Sequence, residues 1–368
     1  MACASSQTEQ NSPSLNSSSA LPQYRLFQVE GTHREMGRQH GEQASKQIRA
    51  HVEQMGRSRD QLQAHATRFK PLFEKHCPHL LDEIAGLAEG AGVTLAEALA
   101  VNIRGELRKA AAEGCTTYVI GRRGTTNREI LAGQNSDMGQ QSIDLGYILH
   151  LKPKSKPQVL IWTFGGMIGY HGMNSAGVAI FENALSENGA IPPGRFAMPH
   201  YPVKRMILEC STLDAALGLF RRIPLASNKN YVMCDGSGAI LDVESTTAGP
   251  ELLRDEGAGF LAHSNHFVCS RYANKETPDA SLPDSRKRLD RINELIRADF
   301  GSITVDRMKA HLSDHSDHPT SICRHPQTAS SGSMKTVASM IAEPAFRRMR
   351  VALGNPCKSR YVTYSMDA

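Results

Sequence analysis

The hydrophobic pattern of this chain changes period at one place. Before residue 108 apolar residues recur mostly at helical spacing, and from residue 117 onward they fall in short runs rich in β-branched side chains. Gly114-Cys115-Thr116-Thr117 sits on the boundary. Alternation over 24–29 suits a strand, and Gly31 to Gly37 then leads into a long helical stretch to about residue 65, with Thr32 and Glu35 spaced as a capping box. Residues 79–107 read as two further helices, broken at Ala91-Gly92-Val93-Thr94, with Thr94 capping the second. Past the boundary, strands are expected at 117–120, 130–133, 146–151, 158–164 and 177–181, and Gly121-Arg122-Arg123-Gly124 fits a hairpin connection. Residues 202–222 turn helical, strands return at 231–234, 239–243 and 259–262, and helices follow at about 284–297 and 303–312. Strands at 337–341, 349–352 and 361–364 close the pattern, and no internal repeat is visible. The fold class is therefore α+β, with a helical front third and antiparallel-looking sheets behind it. Two sheets stacked face to face under helices would satisfy it, although periodicity alone leaves the stacking open.

Composition excludes some partners. Hydrophobic residues make up 40% of the 368 and charged residues 21%, enough for a large core. The net charge of +5 is spread out, with Arg221-Arg222 and Arg347-Arg348 as isolated pairs and no aromatic interleaving, so no nucleic-acid partner is expected. Residues 1 to about 22 are rich in Ser, Asn, Gln and Pro and read as a disordered tail. No secretory apolar run opens the chain, and no run of about 18 apolar residues could span a bilayer. The eight cysteines form no Cys-x-x-Cys pair. An intracellular, cytoplasmic protein with reduced thiols and no membrane partner is the expectation.

Four segments carry the chemistry. After Gly114-Cys115-Thr116-Thr117 come Gly133-Gln134-Asn135-Ser136-Asp137, Ser264-Asn265-His266-Phe267 and Ser321-Ile322-Cys323-Arg324-His325. Alone, each has a plain reading: a buried cysteine opening a strand, a turn aspartate, a loop asparagine, a surface arginine. As an ordered set they resemble the isopenicillin N acyltransferase, or acyl-coenzyme A:6-aminopenicillanic acid acyltransferase, family of autoprocessed N-terminal-nucleophile cysteine hydrolases. Asp284-Ser285-Arg286, with Arg288-Leu289, then Thr336-Val337-Ala338-Ser339 and Gly354-Asn355-Pro356-Cys357 extend the resemblance from about residue 31 to about 364. Ser136 stands where the family often has tryptophan.

The resemblance implies a four-layer αββα sandwich and a cut between Gly114 and Cys115. It divides the chain into a helical α fragment, 23–114, and a β fragment, 115–368, that carries the sandwich core and forms one composite domain with it. A thiol is a strong nucleophile only as thiolate, and an ordinary cysteine has a pKa of about 8.5. An N-terminal cysteine can use its own α-amine, pKa roughly 7.7 to 8, as general base. Glycine before the cut tolerates the distorted backbone that attack on its own carbonyl requires. The resemblance makes Cys115 the nucleophile and Asp137 the group that orients the amine or substrate. It gives Asn265 an amide N–H for the oxyanion, where one donor is worth about 3 kcal/mol. Arg324, always charged, is expected to depress the thiol pKa and hold Asp137. Thr116 and Thr117 could hydrogen-bond the thiol or amine, and with His266 they are the candidate substrate contacts.

The resemblance implies small amides, β-alanyl amides among them, or acyl-coenzyme A as substrates. Hydrolysis is favoured, because water is the default acceptor and no Gly-rich phosphate loop suits coenzyme A. No cofactor is expected. A binding protein on a decayed hydrolase scaffold would have lost one of the four residues, and all four are present. An unprocessed Cys–His hydrolase would need His171, His263 or His266 as base. His311, His315 and His318 have spacing that suggests a metal, but the resemblance implies none. Trp162, Phe164, Tyr170, His171 and Phe181 fit either a packed core or a pocket lining.

Overall fold

Three capping boxes set helices in the front third: Thr32 with Glu35, Ser58 with Gln61 and Thr94 with Glu97. The computed structural model describes residues 22–107, 114–185, 196–273, 284–327 and 333–367. The polar segment expected to be disordered lies outside them, apart from residue 22. After β1 (Leu26–Gly31) come α1 (His33–Gln43), α2 (Ser45–Gln54), α3 (Arg59–His76), α4 (Pro78–Ala91), α5 (Leu95–Asn102) and α6 (Arg104–Leu107). The long helical stretch expected to about residue 65 is instead three helices: α1 gives way to α2 at Ala44, whose ψ of 15° leaves helical geometry, and Gly56 takes a left-handed φ of 60° before Ser58 caps α3.

Past the boundary run β2 (Gly114–Ile120), β3 (Leu131–Gly139), β4 (Gly146–Pro153), β5 (Val159–Phe164), β6 (His171–Asn174) and β7 (Ala179–Ala184). Next come α7 (His200–Leu208), α8 (Leu213–Arg222), β8 (Lys229–Cys234), β9 (Ile240–Thr246), β10 (Gly249–Leu253), β11 (Phe260–His263) and α9 (Ser270–Ala273). The chain ends with α10 (Ser285–Asp299), α11 (Val305–Leu312), β12 (Met334–Glu343), β13 (Arg348–Leu353) and β14 (Tyr361–Ser365). Two strands were not expected. β6 has four residues, too few to carry a period, and β10 is an edge strand whose Pro250 removes a ladder donor.

The strands form two sheets, ordered β1-β4-β5-β6-β7-β8-β9-β10 and β11-β2-β3-β12-β13-β14. Three apolar clusters separate four layers. Ile84, Leu87, Tyr147, Ile180, Ile207 and Phe220 lie between the front helices with α7 and α8 and the eight-stranded sheet. Val119, Met138, Trp162, Phe181, Val232 and Met340 fill the space between the sheets. Tyr118, Leu131, Leu289, Ile292, Met308 and Ile341 join the six-stranded sheet to α10 and α11. This is an αββα sandwich.

Two features pack the front third together and bind it to the rest. In the first, Gly37 and Gly41 of α1 face Gly86 and Gly90 of α4. A Cβ on Gly37 would fall 1.9 Å from the Glu83 carbonyl oxygen, and one on Gly90 2.0 Å from that of Arg38. The helix axes approach too closely for any side chain at these positions. Beneath this contact the buried Arg205 of α7 donates to Glu83 at 2.7 Å. In the second, β1 pairs in parallel with β4, and the Tyr24 hydroxyl donates to the Val337 carbonyl at 2.8 Å. Residues on either side of position 115 therefore share one sheet.

Candidate active site

The boundary residues lie on β2, next to β3 within the six-stranded sheet. The register sets Gly114 opposite Asp137 and Cys115 opposite Ser136. Strand alternation turns Cys115 and Ser136 toward the eight-stranded sheet, and Thr116, Asn135 and Asp137 toward α10 and α11. A Cβ on Gly114 would lie 3.1 Å from Asp137 Oδ2, so the glycine lets the aspartate sit against the backbone just ahead of Cys115.

Cys115 is buried and its backbone is held at both ends. Its N–H donates to Asn265 Oδ1 at 2.9 Å. Its carbonyl accepts from Arg288 Nη1 at 2.6 Å and from Asn183 Nδ2 at 3.2 Å. Arg288 also donates from Nη1 to Thr116 Oγ1 and from Nη2 to Asn265 Oδ1, both at 2.9 Å. From Arg288 a chain of alternating charges runs round the Gly114–Cys115 bond. Arg288 Nε donates to Asp284 Oδ2 at 2.6 Å, Arg324 Nη2 donates to the same oxygen, and Arg324 Nε reaches Asp137 Oδ2 at 3.2 Å. Thr336 Oγ1 donates to Asp137 Oδ1 at 2.7 Å and closes the chain. All four charged groups are buried. Burial pushes the Asp137 carboxyl above its ordinary value, while Arg324 and Arg288 pull it back.

The structure thus brings Cys115, Asp137, Asn265 and Arg324 together from four distant segments. It turns Asn265 round from the expected orientation. Two donors, the Cys115 N–H and the Arg288 guanidinium, converge on Oδ1, and Nδ2 donates to the Ala184 carbonyl at 3.0 Å. In the uncut chain this side chain therefore offers Cys115 an acceptor, which suits a nitrogen and not an oxyanion. Thr116 is a partner of Arg288, and the buried Thr117 hydroxyl has no hydrogen-bond partner among the described residues. Sequence reasoning assigned no role to Arg288, Asp284 or Asn183. The first two were visible as an i, i+4 pair opening a helix, which usually signals a surface ion pair. Asn183 carried no signal.

The histidines that could serve as a thiol base are engaged elsewhere. His171 contacts Ser136 Oγ at 3.4 Å and Glu182 at 3.7 Å, and it stacks on Tyr170. His266 Nδ1 meets Ser285 Oγ at 2.8 Å and Ser264 Oγ at 3.2 Å, and burial pushes its pKa down to about 3. Trp162, Phe164, Tyr170 and Phe181 pack in the core between the sheets.

His263 differs. Its Nε2 lies 3.0 Å from Glu244 Oε1 and its Nδ1 2.9 Å from the Ser264 carbonyl. Both partners are acceptors, so both ring nitrogens must donate and the ring is an imidazolium. Burial opposes the charge, but Asp242 and Glu244 outweigh it and lift the pKa from 6.5 to about 9. A raised pKa stabilises the fold fully below the unfolded value and loses that contribution as pH rises through the folded value. Unfolding free energy should therefore fall by on the order of 2–3 kcal/mol between pH 6.5 and pH 9.5. Urea titrations of wild type and His263→Gln test this. An equally steep pH dependence in the variant would remove His263 as the source.

Residues 123–358 match the family model described as acyl-coenzyme A:6-aminopenicillanic acid acyl-transferase. The chain is 25% identical over 339 residues to the acyl-coenzyme A:6-aminopenicillanic-acid-acyltransferase 40 kDa form of Emericella nidulans, covering 89% of this chain and 92% of that protein. It superposes on a mutant of the conjugated bile acid hydrolase from Clostridium perfringens with a TM-score of 0.50 at 13% identity, over 68% of this chain and 96% of that one. That likeness concerns the fold alone.

Proposed function

The chain belongs to the acyl-coenzyme A:6-aminopenicillanic acid acyl-transferase family, and from that premise we propose that it cuts itself before Cys115 and then works as a cysteine amidase. The observation that carries the reading is the double hold on Cys115. Asn265 Oδ1 accepts from the nitrogen that would become the α-amine, and Arg288 with Asn183 fixes the carbonyl on its other side. The Cys115 thiol attacks the Gly114 carbonyl carbon. The C–N bond breaks, the peptidyl group moves to sulfur and the nitrogen takes a proton. Water then cleaves the thioester, leaving a Gly114 carboxylate and a free Cys115 amine. That amine now has Asn265 as a ready acceptor, with Asp137 set close ahead of it, so its position is settled before substrate arrives.

In turnover the α-amine takes the thiol proton as sulfur attacks an amide carbonyl. It returns that proton to the departing amine, and an acyl thioester remains on Cys115. Water is the favoured acceptor, giving hydrolysis of a small N-acyl or β-alanyl amide; an amine acceptor with acyl-coenzyme A as donor would give the transfer named in the Emericella relative. No helix among the described residues is long and apolar enough to cross a membrane. Because β1 and β4 lie on opposite sides of the cut and share a sheet, the fragments 1–114 and 115–368 should stay together.

Intact-mass analysis of purified protein should find two chains, the larger beginning at Cys115. A folded, active molecule of full covalent length would overturn the reading. Amine release from an N-acyl amide, measured beside thiol release from acyl-coenzyme A, then separates the two acceptors.

A further inference from the structure

A second cluster of nucleophilic side chains lies behind Arg324. His315, Cys323, His325 and Cys357 each offer one ligand atom, and these four atoms all lie within 4.8 Å of one another. The two sulfurs are 3.6 Å apart, and the Nε2 atoms of His315 and His325 are 3.1 Å apart. His325 Nε2 lies 3.7 Å from Cys323 Sγ and 3.4 Å from Cys357 Sγ. A tetrahedral zinc with bonds of about 2.3 Å to sulfur and 2.05 Å to nitrogen would place sulfurs about 3.8 Å apart, nitrogens about 3.3 Å apart and mixed pairs about 3.6 Å apart. Four of the six edges match these values to within about 0.3 Å, and the two from His315 to the sulfurs lie within 4.8 Å, so His315 closes the set by a small side-chain shift.

The ligand set agrees with the geometry. Two thiols and two imidazoles form a soft donor group typical of structural zinc, and four protein ligands leave no open position. Once the two thiols lose their protons, each of the four atoms presents a lone pair, and a cation reconciles them. A surrounding shell is present. Asn355 Nδ2 approaches Cys323 Sγ at 3.5 Å and donates to the Arg324 carbonyl at 2.6 Å. The Cys323 N–H donates to the Asp314 carbonyl and the His325 N–H to the Pro319 carbonyl. Of the His311, His315 and His318 run, only His315 belongs to this set; His311 Nε2 lies 2.8 Å from Asp299.

We propose that His315, Cys323, His325 and Cys357 bind a structural zinc ion that clamps the α11–β12 connection to the β13–β14 loop. Two of the ligands flank Arg324 in sequence. The metal therefore holds the backbone on both sides of the arginine that reaches Asp137 and Asp284. Binding releases the two thiol protons and forms two zinc–thiolate bonds, with no change of oxidation state.

The test uses the full chain without a histidine tag. Elemental analysis should find stoichiometric zinc after purification without chelator. Cobalt exchanged into the site should give thiolate-to-cobalt charge-transfer absorption in the near ultraviolet and the strong visible bands of a tetrahedral ion. Cys357→Ser, at an exposed position, should abolish the charge-transfer band or weaken it sharply while the far-ultraviolet dichroism stays native, and His318→Ala should leave the band unchanged. Folded wild type without stoichiometric zinc and without the cobalt bands would overturn the proposal. So would a peptide map joining Cys323 to Cys357 by a disulfide.

Discussion

Cys115→Ala should purify as one uncut chain of 368 residues with amidase activity reduced on the order of a million-fold, the size of loss seen when a covalent nucleophile is removed. Two losses should coincide because they share one cause. Without sulfur nothing attacks the Gly114 carbonyl, so the α-amine is never released, and the base is lost together with the nucleophile. Structural damage is a poor alternative explanation. Cys115 is a small buried side chain, and truncation to alanine removes one sulfur while every backbone bond described for residue 115 remains possible. Cys115→Ser sharpens the test. Its hydroxyl can attack the same carbonyl, but it is a far weaker nucleophile at neutral pH, so slow self-cleavage measured in hours by intact mass is expected. An alanine variant that is still cut at this bond, or that keeps wild-type turnover, would end the proposal. An enzyme using a Cys–His pair would keep its activity after selective acylation of the α-amine. The proposed enzyme should lose it.

The chain's own pattern anticipates much of this architecture, and the gaps have physical causes. Thr32 was readable as a cap because a capping box has a fixed three-residue spacing, and Thr94 because it ends the Ala91–Thr94 break ahead of a helical run. The break after α2 was missed because Gly56 is one residue within an otherwise helical pattern. Cys115, Asp137, Asn265 and Arg324 were legible only as an ordered set, since each alone has a commoner structural explanation. The orientation of Asn265 was beyond the sequence: an amide carries a donor and an acceptor, and only its neighbours decide which end faces Cys115. Arg288 was hidden for a different reason. An Asp–Arg pair at i, i+4 looks the same on paper whether solvent or the strand that carries Cys115 lies opposite, and here it is that strand, β2. The four zinc-ligand candidates come from three segments, so no local spacing could gather them.

Arg324→Met should cost about 3–5 kcal/mol of stability, the range expected when one partner of a buried ion pair is removed. The side chain is isosteric enough to fill the space, so the loss reads as charge and not as cavity. Asp284 would keep Arg288 at 2.6 Å. Asp137 would keep Thr336 at 2.7 Å but lose its direct cation. Burial already pushes the Asp137 carboxyl upward, and removing Arg324 removes the leading opposing influence. The buried group would then prefer its proton. A folded pKa above the unfolded value makes stability fall as pH rises, so the deficit of the variant should be larger at pH 8 than at pH 5. Urea titration at both values measures it. Adding Asp137→Asn should recover part of the stability and flatten the pH dependence, because the orphaned charge is gone. It should not recover self-cleavage. That step needs the carboxylate beside Gly114 and the correct placement of the scissile bond, and a misplacement of about 1 Å can cost roughly 100-fold. A double variant that regains both stability and cutting would mean the charged chain serves only the fold. Recovery of stability alone means that the charged chain serves self-cleavage as well as the fold.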